Sequence, residues 1–417
     1  MAKNFNKDLQ YYKFCGYGFL KNLKFFESFL ILFYLEKGLN FFEIGALYSI
    51  QQITINIFGI PSGIFADAIG RRRTMIYSFI AYIISFIVFY FSNTYPLFIV
   101  AILFFAFGDS FRTGTHKAMI FEYIKSKGWT DQKVHYYGHT RSWSQRGSAL
   151  SSIIAACIVF YSGSYRYIFL FATIPYLLDL ILVSSYPKEL DGKIQHLDFK
   201  VMIKSFKTVM NEFFISFKNI YIFKAISNSA VHGGFYEAVK DYLQPVLKAF
   251  ALSLPFFLYL DDKQRSAIII GIFYFFIYII TSYASRKSGV IADKYQKISR
   301  TLNITMIIGF CFGALSGLFY NLNLIIIAIT LYIGIYIIEN LRKPMGEAYI
   351  TDALDKDILA TALSVESQLK SLYAAIFAPI IGFIADRYGI GTGLIVISTI
   401  ALISIPLYYA KEKRKHL

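Results

Sequence analysis

The chain has 417 residues, 56% of them hydrophobic and only 16% charged, and its mean hydropathy of +0.51 is far above that of a soluble globular domain. Such a composition belongs in a bilayer. The formal net charge of +16 calls for no nucleic acid, because basic cytoplasmic loops facing anionic lipid headgroups account for it.

A hydrocarbon core of ~30 Å takes ~20 apolar residues per helical span, so the length allows about twelve spans. In chain order they are expected at 18–36, 42–66, 74–92, 96–121, 142–161, 166–185, 221–247, 266–285, 301–320, 323–341, 361–384 and 392–410. Runs such as Met75 to Phe91 and Ile304 to Tyr320 are apolar all round rather than alternating, which rules against a barrel of strands. The fold class is therefore an all-α membrane protein. Met1 to Lys24 is polar and basic, and no small-residue cleavage site follows the first apolar run, so no cleavable signal peptide is read. Cys15, Cys157 and Cys311 are odd in number and far apart and read as packing residues. Lys and Arg collect on one side of the spans, which puts both termini in the cytoplasm; the cell (inner) membrane is the expected location. The polar connection 187–220 divides the chain into halves 1–186 and 221–417. Within it Lys200, Lys204 and Lys207 share one helical face, with Phe206, Val209, Met210, Phe213 and Phe217 on the other. That pattern fits a helix lying on the membrane surface.

Between the second and third spans runs Gly63-Ile-Phe-Ala-Asp67-Ala-Ile-Gly70-Arg71-Arg72-Arg73: a small residue, an acid four positions on, then a glycine turn and three arginines. This stretch resembles the G-x-x-x-D-x-x-G-[RK]-[RK] loop of the major facilitator superfamily. It has an echo in Gly289 to Asp293, again followed by basic residues, Lys294 and Lys297. Further landmarks recur in order: Phe25-Phe26-Glu27 and Phe235-Tyr236-Glu237, Asp109-x-x-Arg112 and Glu339-x-x-Arg342, Ser144-Gln145 and Ser367-Gln368. Four ordered echoes support two pseudo-symmetric six-helix bundles. The resemblance implies that the first and seventh helices flank a translocation path. It also implies that Asp67 docks at the start of the eleventh helix when the cytoplasmic side closes, and Asp293 at the fifth, each carboxylate drawn to a positive helix N-terminus. The segment Pro379 to Gly389 looks like a turn of the drug-efflux branch, yet the fifth helix, Ser148 to Gly163, has no proline and so lacks that branch's antiporter signature.

Ionisable groups at membrane depth carry most of the functional information, since each costs ~2.5–3.5 kcal/mol at a helix centre on insertion scales. Glu27 is expected inside the first helix, with Lys21 and Lys24 at three-residue steps on roughly its face. The seventh, with Lys224, Asn228, His232, Glu237, Lys240 and Asp241, is too polar to face lipid all round. Asp109 with Arg112, and Glu339 with Arg342, are spaced to pair along their own helices. Asp179, alone among Leu177, Leu178, Leu180 and Ile181, ranks behind them as a residue able to hydrogen-bond a neighbouring helix. Lys21, Lys24, Arg112, Lys117, Arg146, Lys224, Lys240 and Lys370 suggest an anionic or zwitterionic solute.

His135 and His139 lack the partners of a metal site, and no nucleotide-binding or nucleophile motif is present. Neither enzymatic activity nor a cofactor is expected. The reading is a secondary active transporter, acting as a monomer, that moves a small organic solute by alternating access. Protons are the preferred coupling ion over sodium, and efflux is preferred over import. Glu27 and Glu237 are the candidate coupling or substrate groups, with Glu27 favoured for the proton. The competing readings are a membrane-embedded enzyme or lipid-handling protein, and a non-transporting sensor derived from a transporter.

Overall fold

Backbone polar groups in a bilayer must be satisfied within the chain, which leaves helices as the solution for long apolar runs. The computed structural model describes residues 7–129, 133–192, 220–294, 298–353 and 356–410, with residues 203, 207 and 211. Among the described residues there is no strand. The helices are α1 (Leu9–Lys21), α2 (Leu30–Glu36), α3 (Phe41–Ile69), α4 (Arg71–Phe91), α5 (Tyr95–Arg112), α6 (Thr115–Ser126), α7 (Lys133–Ser162) and α8 (Tyr167–Ser184). They continue with α9 (Ile220–Val239), α10 (Leu243–Ser253), α11 (Asp262–Lys294), α12 (Ile298–Asn321), α13 (Ile325–Ala353), α14 (Lys356–Tyr388), α15 (Ile390–Ile403) and α16 (Ile405–Tyr408). Every expected span carries helix. Among the described residues seven stretches are long and apolar enough to cross a membrane, or eight if α3, bent by 51° between Gly59 and Pro61, counts as one span. Proline inside a helix is the usual cause of such a bend.

The first expected span, 18–36, is not one helix. It stops at Lys21 and resumes at Leu30, so Glu27 lies on the connecting turns and not on a helix face shared with Lys21 and Lys24. The cause is local: the Asn22 side chain donates to the Gly18 carbonyl at 2.7 Å, and the backbone N–H groups of Leu23, Glu27 and Phe29 each donate to the carbonyl three residues back. Phe26 fills the space beside these turns, stacked on Phe169 and close to Phe86 and Phe105. The seventh span is interrupted too, by a 3₁₀ turn at Lys240–Tyr242 between α9 and α10.

The chain forms two compact units. One comprises Met1–Phe29, Thr54–Phe206 and Tyr259–Tyr278; in it α4 packs against α5 and α8, and α1 against α7 and α8. The other comprises Leu30–Ile53, Lys207–Leu258 and Ile279–Leu417; in it α9 packs against α14, and α12 against α13 and α15. The division falls inside α3 and inside α11. Of the amphipathic stretch read in the connection, Lys207 is helical and exposed; Lys200, Lys204, Phe206, Val209, Met210, Phe213 and Phe217 lie outside the described residues.

Candidate functional site

In the second unit, α9 and α14 bring charge together at a quarter-exposed position. Glu237 accepts from Lys240 Nζ through Oε2 at 2.7 Å and from Lys370 Nζ through Oε1 at 3.0 Å. Lys240 follows Glu237 by one turn, whereas Lys370 comes from α14, its stem lying along Gly233, where an added Cβ would sit 3.1 Å from Lys370 Cδ. The same helix pair is joined one turn on either side of Gly233, since Ser229 Oγ donates to Glu366 Oε1 at 3.0 Å. Two ammonium groups share one carboxylate, so the Lys240–Glu237–Lys370 trio carries net positive charge. Side-chain exposures of 21% to 26% leave it within reach of solvent.

Deeper on α9, His232 is fully buried and its Nδ1 lies 2.7 Å from Glu339 Oε2. Arg342 takes no part in that pair. Its Nη2 donates to both the backbone and the side-chain oxygen of Asn228 at 3.0 Å, and its Nη1 to Thr305 Oγ1 at 2.9 Å and to the Leu302 carbonyl. The expected pairing of Glu339 with Arg342 along α13 is therefore not formed. Glu339 faces α9 and finds His232, while the guanidinium is satisfied by neutral oxygens of α9 and α12. Asp241 stands apart from the Glu237 trio as well: Tyr48 donates to its Oδ2 at 2.6 Å, and Gln244 Nε2 lies 3.4 Å from its Oδ1. Gln244 Oε1 in turn accepts the Ile31 N–H at 2.8 Å, at the start of α2.

In the first unit, Asp109 and Arg112 do pair along α5, at 2.5 Å, and Tyr82 of α4 joins them: its hydroxyl donates to Asp109 Oδ1 at 2.7 Å and accepts from Arg112 Nε at 3.0 Å. Glu27 lies 3.9 Å from Lys24 Nζ. The turn at Gly70 is as sharp as its sequence suggests, since a single residue at φ 95° separates α3 from α4, a conformation that glycine adopts without steric cost. Arg71 lies 3.6 Å from Asp67 and 3.7 Å from Glu122, and Arg72 is held by the segment that follows α8. There Asp191 Oδ1 accepts the Arg72 backbone N–H at 2.7 Å, which places a carboxylate at the N-terminus of α4.

Across 22–365, most of the chain, the sequence matches the profile of the Major Facilitator Superfamily. The chain belongs to this superfamily. A curated relative, the uncharacterized MFS-type transporter YxaM of Bacillus subtilis (strain 168), is 22% identical over 401 residues, covering 94% of this chain and 92% of that protein. Among solved structures, nucleoside transporter NupG superposes with a TM-score of 0.72 at 16% identity, covering 97% of this chain and 100% of that one. A POT family transporter in complex with 5-aminolevulinic acid gives 0.67 at 14% identity, covering 94% and 93%. These similarities describe a shared fold. The protein is thus an integral, multi-pass member of the superfamily.

In this superfamily member the loop residues read from sequence fall in three groups. Asp67, Gly70, Arg71 and Arg72 form the network just described, and Gly63 and Arg73 sit in α3 and in the first turn of α4. Gly289 and Asp293 belong to the last turns of α11, but their side chains lie outside the described residues, as do those at the start of α14. Asp179 is a correction. It finds no partner on a neighbouring helix: both carboxylate oxygens are buried without a hydrogen-bond partner.

In the sequence Lys370 counts only as a basic residue and Asn228 only as one of the polar residues of the seventh span, and nothing there singles out Tyr82, Gln244 or Asp191. Spacing along one helix cannot reveal partners supplied by another. Asp191→Ala is expected to lower stability by about 1 kcal/mol, as loss of a helix cap does, measured as a fall in thermal midpoint of the detergent-purified protein. An unchanged midpoint would show that the contact carries no weight.

Proposed function

We propose that this superfamily member is a secondary active transporter that moves a small anionic or zwitterionic organic solute by alternating access. It works as a monomer with both termini in the cytoplasm, is driven by a proton gradient, and exports rather than imports. The observation that carries the reading is Glu237 held between Lys240 and Lys370. Charges inside a membrane protein are kept only where they repay their cost, and two ammonium groups around one carboxylate form a site where the resident anion can be exchanged for an incoming one. A solute carboxylate or phosphate that takes Lys370 from Glu237 gains a charge-assisted contact and alters the tie between α9 and α14. Ligand binding is thereby linked to helix position, as a ligand must be to shift a conformational equilibrium.

The test begins with a thermal-shift screen of the purified protein against a metabolite library, because a ligand that binds only the folded state raises its midpoint. The strongest ligand then serves as the probe in liposomes with an imposed pH gradient. Glu237→Gln is expected to impair transport of that probe, since the amide keeps the shape but no longer competes as an anion for Lys240 and Lys370. Lys370→Met is expected to weaken binding of the probe at least tenfold, the value of about 1.4 kcal/mol. Undiminished uphill transport by Glu237→Gln together with unchanged binding by Lys370→Met would end this reading.

A further inference from the structure

Asp179 lies in the apolar span Tyr167–Ser184, where an acid is costly. It is 0% exposed, and neither carboxylate oxygen meets a hydrogen-bond donor. The other acids described at similar positions all have donors. Asp109 has Arg112 and Tyr82, Glu237 has two lysines, Glu339 has His232, and Asp241 has Tyr48. Among the described residues Asp179 is the one carboxylate with both oxygens buried and no partner at either.

Its surroundings are polar in an unusual way. The charges acting on it are Lys21 at the end of α1 and Arg112 on α5. Tyr17 on α1, Tyr176 one turn earlier on α8, and Tyr186 just beyond α8 feel its charge in turn. Tyr82 on α4 meets the Tyr176 ring edge-on at 5.1 Å, and Tyr176 donates to the Lys21 carbonyl at 3.1 Å. Tyr17 also stacks on His116 with ring centroids 3.5 Å apart. A carboxylate orphaned at both oxygens runs against the rule that buried polar groups are satisfied, and such an exception calls for a role.

An ionised carboxylate with no donor is the most costly occupant of such a place, and binding a cation is the remedy. A metal ion would need several oxygen or nitrogen ligands, and no cluster of three acid, histidine or cysteine side chains exists among the described residues. A proton needs only the one carboxylate. We propose that Asp179 is a proton-binding site of the first unit, separate from the Glu237 trio. It accepts one proton to become a neutral carboxyl group and, when its neighbours rearrange, returns that proton and regains one negative charge opposite Lys21 and Arg112. The proposal rests on the transporter reading only for the use made of the proton, not for its binding.

Infrared difference spectroscopy of the full-length protein, titrated between about pH 5 and about pH 9 to cover the range where a displaced carboxyl group can titrate, tests this without any solute. Wild type is expected to show a protonated-carboxyl band that Asp179→Asn loses entirely and Glu27→Gln retains. Asp179→Glu, which keeps the acid on a longer stem, is expected to shift the band, and it decides the matter should the asparagine variant fold poorly. The same band in Asp179→Asn as in wild type, or an unshifted band in Asp179→Glu, overturns the proposal. A band lost as expected in a protein that transports no probe in liposomes supports the proton site and counts against the transporter reading alone.

Discussion

Arg342→Leu is expected to destabilise the protein by about 3–5 kcal/mol, because several buried acceptors lose a charged donor at once and each such hydrogen bond is worth about 1.5–3 kcal/mol. Arg342 is 3% exposed, and its guanidinium closes a polar network at the meeting of α9, α12 and α13. Removing it strips donors from the Leu302 carbonyl, Thr305 and both oxygens of Asn228. The effect reaches further, because Asn228 Nδ2 donates to Asn303 Oδ1 at 2.9 Å and to the Tyr408 carbonyl at 3.1 Å. Asn303 in turn exchanges hydrogen bonds with the backbone of Ala410 at 2.8 and 2.9 Å. Arg342 thus fixes the amide that fixes the end of α16. Lysine cannot substitute, since a point charge with three donors does not reproduce a planar fork reaching four oxygens, so Arg342→Lys is expected to recover only part of the loss. The measurement is thermal unfolding in detergent, with Asn228→Leu and the double variant completing a cycle. Because the two residues share partners, the double variant should cost less than the sum of the singles. An Arg342→Leu midpoint equal to wild type, or strict additivity, would show that the network holds nothing together.

The contrast between Arg342 and Arg112 shows what sequence can and cannot reveal about this site. Both follow an acid by three residues, and the helix rule predicts the same pair twice. It forms at Asp109 and fails at Glu339, because His232 competes for Glu339 and neutral oxygens compete for Arg342. Those competitors sit on α9 and α12, beyond the reach of a rule about one helix. The spans themselves were legible because hydrophobicity over ~20 residues is a strong signal. The break at residues 22–29 was not, for it depends on Asn22 capping the Gly18 carbonyl and on phenylalanines that fill the gap without adding polarity. The motif at 63–73 was legible as a turn with charges, and Gly70 makes that turn. Its fastening by Asp191 was hidden, since the acid comes from a connection more than a hundred residues away. At Glu237 the neighbouring Lys240 was evident, while Lys370 required knowing that α9 and α14 are packed together.

Gly382→Val is expected to be comparably damaging, at about 3 kcal/mol or more, by combining overpacking with the loss of two charge-assisted hydrogen bonds. Within the second unit the start of α3 and the end of α14 approach with backbone almost touching backbone. A Cβ on Gly382 would collide with the Phe41 carbonyl, lying 2.7 Å from its carbon and 2.9 Å from Phe42 Cα. A Cβ on Gly45 would collide with the Ala378 carbonyl and come within 2.8 Å of Pro379 Cα. Obstacles made of backbone cannot swing aside as a side chain does, so the helices must part. Parting them breaks a second contact one turn away, where the two carboxylate oxygens of Asp386 accept the backbone N–H groups of Phe41 and Phe42, each at 2.8 Å. This is a negative group against a positive helix end, and it depends on the close approach that the glycines permit. Asp386→Asn keeps one good acceptor and the spacing, so it should cost about 1 kcal/mol, well below Gly382→Val. The readout is the thermal midpoint together with labelling of a cysteine at Glu43 by a polar thiol reagent, which Gly382→Val should accelerate and Asp386→Asn should alter less. If valine at 382 leaves both the midpoint and the labelling rate unchanged, the close approach of α3 and α14 is not a feature of the folded protein, and the grouping of Leu30–Ile53 with the second unit falls with it.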